Sequence, residues 1–330
     1  MASSVLEDLS VSLVSHIILL STLTRSKEII ALTRPASVSK PINKLLEQRG
    51  VRIVPLDLTG PYHKVVEVLK DVDVVVSAIG PREQLDQIPL ATAAKEAGVQ
   101  RFVPCGFITV CAPGGIMMLR DQKEEVYNHI KHLRLPYTIV DVGWWYQIMF
   151  PRVPSGKVDY AISISGNEIA GDGNVPSAIT DLRDIGRYIA CIIKDDRTLN
   201  KMIMAYNIVM TPNEVCDLME RLSGEKVERS YISEADIRSR LASGKAELEA
   251  GSTDYSSMLK VVHSQYLISW GIRGDNTPED AKYLGYLTSK DLYPDMKFTA
   301  FEEYLQEVLE GKAKGVYEHL KGQMTKARGD

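Results

Sequence analysis

Residues 71–80 read DVDVVVSAIG, and Pro81 follows. Three consecutive valines between acidic residues and a Ser-Ala-Ile-Gly exit form a short run that is apolar on both faces. That pattern belongs to a strand covered on both sides, not to one with a wet face. Four further runs of this kind flank it: 28–32 (EIIAL), 51–54 (VRIV), 101–104 (RFVP) and 137–142 (YTIVDV). The segments between them carry helical spacing: Ile42, Leu45 and Leu46 in 41–48, Val65, Val66 and Leu69 in 62–69, the stretch 88–97, and Val126, Ile130 and Leu133 in 122–133. Gly50 and Gly98 follow two of these segments as stop signals. Strand–helix alternation at this interval predicts right-handed crossovers and an α/β fold of Rossmann type, a doubly wound parallel sheet.

After Trp145 the pattern changes. Residues 150–173 are rich in Gly, Pro and Ser, with a hairpin expected at 157–164. A helix is expected over 181–194, where Ile185, Ile189 and Ile192 share a side, and another from Thr211, whose Thr-Pro-Asn-Glu start reads as a capping box. Helices are also expected over 233–248, 276–286, 298–310 and 316–326. These readings divide the chain into a nucleotide-binding domain over 1–150, with 176–230 packed back onto it, and a smaller C-terminal α+β substrate-binding region from 151–175 and 231–330.

The chain has 330 residues, 45% of them hydrophobic and 25% charged, with a net charge of −4. A core of this size needs no staples, and an acidic balance offers no electrostatic footprint for nucleic acid or an anionic membrane. Cys105, Cys111, Cys191 and Cys216 form no CxxC pair and no zinc-like spacing with histidine, so reduced thiols and no metal are expected. The apolar stretch 11–23 contains His16 and several serines and is too short to span a bilayer. With Glu7 and Asp8 before it, it does not read as a signal peptide either. It reads as a buried helix or strand, and a cytoplasmic monomer or homodimer is expected.

A dinucleotide fold normally opens with strand, glycine-rich turn and helix, because glycines let backbone N–H groups reach the pyrophosphate at a helix N-terminus. Here the first glycine of the chain is Gly50. Side chains at those turn positions force backbone strain or block the phosphates.

The remaining segments nevertheless resemble the NmrA-like and isoflavone-reductase-like reductases, an atypical short-chain dehydrogenase family, over roughly residues 27–230. Residues 29–41 (IIALTRPASVSKP) are similar to the family's second strand and following loop, where a basic residue receives the 2′-phosphate of NADPH. The resemblance assigns that role to Arg34, helped by Lys40; guanidinium pairs bidentately with phosphate. Residues 71–80 resemble the third core strand under the adenosine half, which makes Ser77, Ala78, Gly80 and Pro81 cofactor candidates. Residues 101–107 (RFVPCGF) resemble the segment near the nicotinamide, with Cys105 and Gly106 where Ser-Glu is usual, followed by Phe107. Lys123 matches the lysine proposed as general acid or base in the isoflavone-reductase-like branch. Residues 141–147 (DVGWWYQ) resemble a stretch of fungal NmrA-like reductases and place Trp144, Trp145 and Tyr146 against a flat aromatic substrate.

The resemblance implies an NADPH-dependent reductase of a small aromatic or alkaloid-like secondary metabolite. The glycine-free opening keeps two alternatives open: a non-redox isomerase or cyclase on a degenerate reductase scaffold, and an NmrA-like dinucleotide-sensing regulator. Tyr127 and Lys131 form a chance Tyr-x-x-x-Lys spacing that a classical short-chain dehydrogenase would use as an acid–base pair. No G-x-S-x-G elbow and no phosphate-loop GK[ST] motif is present.

Overall fold

The structure, a computed structural model, describes residues 16–21, 28–162 and 168–316. Six strands form the central wall: β1 His16–Ser21, β2 Glu28–Thr33, β3 Arg52–Pro55, β4 Val74–Ala78, β5 Arg101–Val103 and β6 Thr138–Asp141. The first five lie in the order β3-β2-β1-β4-β5, and a parallel bridge from Phe102 to Tyr137 sets β6 beside β5. This is the strand order of a Rossmann sheet.

Each strand sends alternate residues to opposite faces. Ile29, Ala31, Val74, Val76, Ala78 and Val140 enter one core layer; Ile30, Leu32, Val75 and Ile139 enter the other. Helix α1 (Pro41–Gln48) covers the first layer through Leu46. Helices α2 (Tyr62–Leu69), α3 (Gln87–Glu96) and α4 (Met118–His132) cover the second, where Leu69, Leu90, Val126 and Ile130 are buried. Each fully buried aliphatic side chain of this kind contributes about 1.5–3 kcal/mol. Continuous apolar runs were therefore the right signature for these strands.

One strand breaks the parallel pattern. β1 is antiparallel to both neighbours, with Ile17 opposite Leu32 of β2 and Ser77 of β4. Only residues 22–27 separate β1 from β2, whereas a parallel connection needs a dozen residues or more. His16 therefore stands at the carboxyl edge of the sheet, opposite Ala78, where the exit of a parallel first strand would lie.

Beyond β6 the chain turns through the short β7 (Trp144–Trp145), β8 (Glu168–Ala170) and β9 (Ser177–Thr180) into helix α5 (Leu182–Ile192), which joins the α1 layer through Ile185 and Ile189. Strand β10 (Lys201–Met204) pairs parallel with β6 and extends the wall. Strand β11 (Ile208–Met210) leads to α6 (Pro212–Ser223), where Thr211 and Glu214 form the expected capping box. β12 (Ser230–Ile232) precedes α7 (Glu234–Glu249) and α8 (Tyr255–Tyr266). Helix α8 continues into a π-helical segment, Leu267–Arg273, and β13 (Leu287–Thr288) pairs with β10.

The hairpin expected at 157–164 is not formed over 157–162, where 157–161 are turns, and 163–164 lie outside the described residues. Val158, Ala161 and Ile162 are buried at turn spacing, not in alternation. The helix expected over 316–326 lies outside the described residues beyond its first position. Among the described residues no helix is long and apolar enough to cross a membrane, and no group of three or more His, Cys, Asp or Glu could hold a metal. The four cysteines are unbridged.

Candidate functional site

In open α/β sheets ligands bind outside the carboxyl ends of the strands. Those ends here are Thr33 and Arg34 at the end of β2, Ser77 and Ala78 ending β4 with Gly80 and Pro81 beyond, Cys105, Gly106 and Phe107 after β5, and Asp141 ending β6. Every cofactor candidate read from the sequence lies on this edge or, for Lys40, at the start of α1.

At the β2 end, Arg34 is exposed and its Nη1 lies 3.3 Å from Glu83 Oε1, with side-chain exposures of 63% and 33%. Lys40 is also exposed. Pro81 begins a short 3-10 turn over Pro81–Asp86. Ser77 and Ala78 are buried, and Ser77 Oγ has no hydrogen-bond partner among the described residues.

At the β5 end the chain is tightly held. Cys105 N donates to Gln87 Oε1 at 2.7 Å, and Cys105 Sγ donates to Ile79 O at 3.3 Å. A Cβ on Gly106 would come within 2.5 Å of the Val140 carbonyl oxygen, so packing against β6 requires glycine there. Phe107 then takes a left-handed φ of 55° while its N–H donates to Val140 O at 2.7 Å. A non-glycine residue in that region stores strain, the kind that clusters at functional sites.

Lys123, on the second turn of α4, reaches this loop from the side. Its Nζ donates to Cys105 O at 2.6 Å and to Gln84 Oε1 at 3.0 Å, and the residue is 4% exposed. Burial lowers its pKa below the ordinary lysine value; the Arg120 charge acts in the same direction, and Cys105 and Asp141 oppose it.

Beneath Lys123 lies a buried ionic cluster. Arg120 Nη1 donates to Asp141 Oδ2 at 3.0 Å and to Tyr286 Oη at 2.9 Å, and Tyr286 Oη donates to the same carboxylate oxygen at 2.6 Å. Glu124 accepts from Arg120 Nε and Nη2 at 2.9 and 2.6 Å. Burial pushes the Asp141 carboxyl up, against the pull of Arg120, Tyr286 and Lys123. The guanidinium keeps its proton throughout. Asp141 Oδ1 and the buried Tyr127 hydroxyl have no hydrogen-bond partner among the described residues. Tyr127 is fully buried while Lys131 is exposed, so the Tyr-x-x-x-Lys spacing does not make a joint site.

Trp144, Trp145 and Tyr146 do not share one wall. Trp144 packs on Tyr266 and on Trp270 of the π-helical segment, at centroid distances of 4.8 and 5.6 Å. Trp145 packs against the α5 side of the sheet. Tyr146 is buried against Phe301, 4.6 Å away, and donates to Thr299 O at 3.2 Å. Gly143 permits this divergence: its φ is +70° and a Cβ would collide with the Ala178 carbonyl.

Sequence reasoning did not single out Gln84, Gln87, Arg120, Asp141 and Tyr286 as members of this site. A carboxylate ending an apolar strand and an arginine one turn before Lys123 were legible signals. Nothing local marks Tyr286, which is 145 residues from Asp141.

Comparison with known proteins agrees with this geometry. The NmrA-like family model matches residues 13–305. The chain is 47% identical over 302 residues to the asnovolin J 5′,6′-dehydrogenase of Aspergillus novofumigatus, covering 91% of this chain and 92% of that protein. It is 29% identical to the phenylcoumaran benzylic ether reductase Betv6 of Betula pendula, covering 84% and 89%. Among solved structures, a leucoanthocyanidin reductase–NADPH complex from Vitis vinifera superposes with a TM-score of 0.71 at 21% identity, covering 94% and 96%. With a family match across nearly the whole chain and the strand order to go with it, this chain is a member of the NmrA-like family.

Proposed function

We propose that this chain is an NADPH-dependent reductase of a small aromatic or alkaloid-like secondary metabolite, with Lys123 as its general acid or base. The observation that carries the reading is the buried Lys123 amine held against the Cys105 carbonyl at the carboxyl end of β5. A lysine whose pKa is brought down by burial suits proton transfer near neutral pH.

Arg34 presents a solvent-facing guanidinium whose pairing with Glu83 is of the weak surface type, readily exchanged for a phosphate dianion. Arg34 and Lys40 hold the 2′-phosphate in this reading. Ser77, Ala78, Gly80 and Pro81, at the end of β4 and just beyond it, would hold the adenosine half. Cys105, Gly106 and Phe107 flank the nicotinamide. Among the described residues no helix N-terminus follows β1 on this edge, so pyrophosphate binding rests on strand-end backbone and on Arg34. The two ends of the cofactor fit.

When bound, NADPH supplies a hydride to a substrate carbon. Lys123 gives a proton from Nζ to the substrate oxygen or nitrogen that becomes negative, and burial then stabilises the neutral amine left behind. The Cys105 carbonyl and Gln84 hold Nζ in place meanwhile. Trp144, with Tyr266 and Trp270, offers an aromatic surface to a flat ring, and the segments 151–175 and 231–330 shape the substrate side.

The reversed β1 favours a second reading, a non-redox isomerase or cyclase using the same lysine. Calorimetric titration with NADPH and NADP+ separates the two. The reductase reading expects micromolar NADPH affinity, weakened about tenfold or more in Arg34→Ala. Absence of dinucleotide binding at millimolar concentration overturns it in favour of the non-redox reading.

A further inference from the structure

The turn after β4 and the start of α3 carry two buried amides that the proton-transfer reading leaves unused. Gln84 is 4% exposed and Gln87 1%. Gln84 Nε2 donates to Gly80 O at 3.1 Å, which leaves its Oε1 to accept from Lys123 Nζ at 3.0 Å. Gln87 Nε2 donates to Gln84 O at 3.0 Å, and Gln87 Oε1 accepts from Cys105 N at 2.7 Å. The circuit closes because Cys105 O accepts from Lys123 Nζ. Four elements are thereby joined in one circuit: the 3-10 turn, the start of α3, the β5 loop and α4.

The chemistry of this circuit is specific. An ammonium only donates, so the amide oxygen of Gln84 must face it. Two neutral acceptors steady the amine without adding a full negative charge, whereas a carboxylate at the same place would lock the lysine in its charged form. We infer that Gln84 is a positioning residue for Lys123, and that with Gln87 it holds the Lys123 amine and the Cys105–Phe107 loop in register. This rests on the reading of Lys123 as the proton-transfer group. The other charged or titratable groups that act on the amine are Arg120 on α4, Asp141 at the end of β6, and the Cys105 thiol.

The test follows the Lys123 amine directly, in the full chain with isotope-labelled lysine Cε. The Lys123 signal is identified by its loss in Lys123→Arg. Gln84→Glu places a carboxylate against Nζ and gives up the bond to Gly80 O. Gln84→Met keeps the shape and removes both polar atoms. The Lys123 signal is expected to titrate about one pH unit or more higher in Gln84→Glu and lower than the parent in Gln84→Met. The limb of the kcat/KM profile set by Lys123 should move in the same directions, with kcat reduced and KM little changed in Gln84→Met. If the signal moves and the pH profile does not, the positioning role stands and the assignment of proton transfer to Lys123 falls. If Lys123 titrates identically in the parent and in whichever variant folds with native circular dichroism, the inference is overturned. Gln84→Met keeps the test open should Gln84→Glu fail to fold.

Discussion

The carboxyl edge of the sheet is built in two different ways. At the β2 end, Arg34 is 63% exposed and its charge meets one surface carboxylate. At the β5–β6 end, Arg120, Lys123 and Asp141 are between 0% and 4% exposed and every charge is engaged by a specific partner. Water and salt screen the first arrangement, so its side chains are free to serve a ligand and contribute little to folding. The second is shielded, and its charges bear on stability and on ionisation at once.

The largest effect that would break this contrast is on stability. Asp141→Ala leaves Arg120 buried without its strand partner and is expected to cost about 3–5 kcal/mol, read from urea unfolding. Removing the Arg34–Glu83 pair should change stability by less than about 1 kcal/mol. Equal losses at the two ends would erase the distinction.

Next in size is a kinetic contrast. Lys123→Met should lower kcat by about a hundredfold or more while NADPH affinity by calorimetry stays near that of the parent. Arg34→Ala should show the reverse, weaker cofactor binding with kcat intact at saturation. A loss of NADPH binding in Lys123→Met would show that the buried end also carries affinity.

The smallest effect is a pH slope. The Lys123 pKa in the fold lies below its value in the unfolded chain, about 10.4. Between the two values the unfolded chain binds more protons than the native one, so stability rises with pH across that window. The cost of burying the charged amine is fully present below the folded pKa and disappears as the amine loses its proton. Unfolding free energies measured from neutral to alkaline pH should therefore show the parent gaining on Lys123→Met as pH rises. Parallel curves would mean that the amine is solvated.

How much of this was legible depended on the range of the interaction. The runs at 28–32, 71–80 and 137–142 announced strands β2, β4 and β6 because burial on both faces demands apolar residues without interruption. Capping at Thr211 was readable for the same local reason. The divergence of Trp144, Trp145 and Tyr146 was not. Three adjacent aromatics look alike in sequence, and the left-handed turn at Gly143 and the packing of Trp270, Phe301 and the α5 side of the sheet separate them. The π-helical segment that carries Trp270 gave no period of its own to detect.

The sequence by itself determined the layering of the central sheet: that the runs at 28–32, 51–54, 71–80, 101–104 and 137–142 are strands, which faces of α1, α2, α4 and α5 are covered, and that the first glycine is Gly50. Periodicity encodes burial, and burial is a local property of each segment. The tertiary structure alone decided the direction of β1, and the meeting of Gln84, Gln87, Cys105, Arg120, Lys123, Asp141 and Tyr286 around one buried amine. Polar groups removed from water must find partners wherever the fold brings them, and no spacing along the chain records which partners those are.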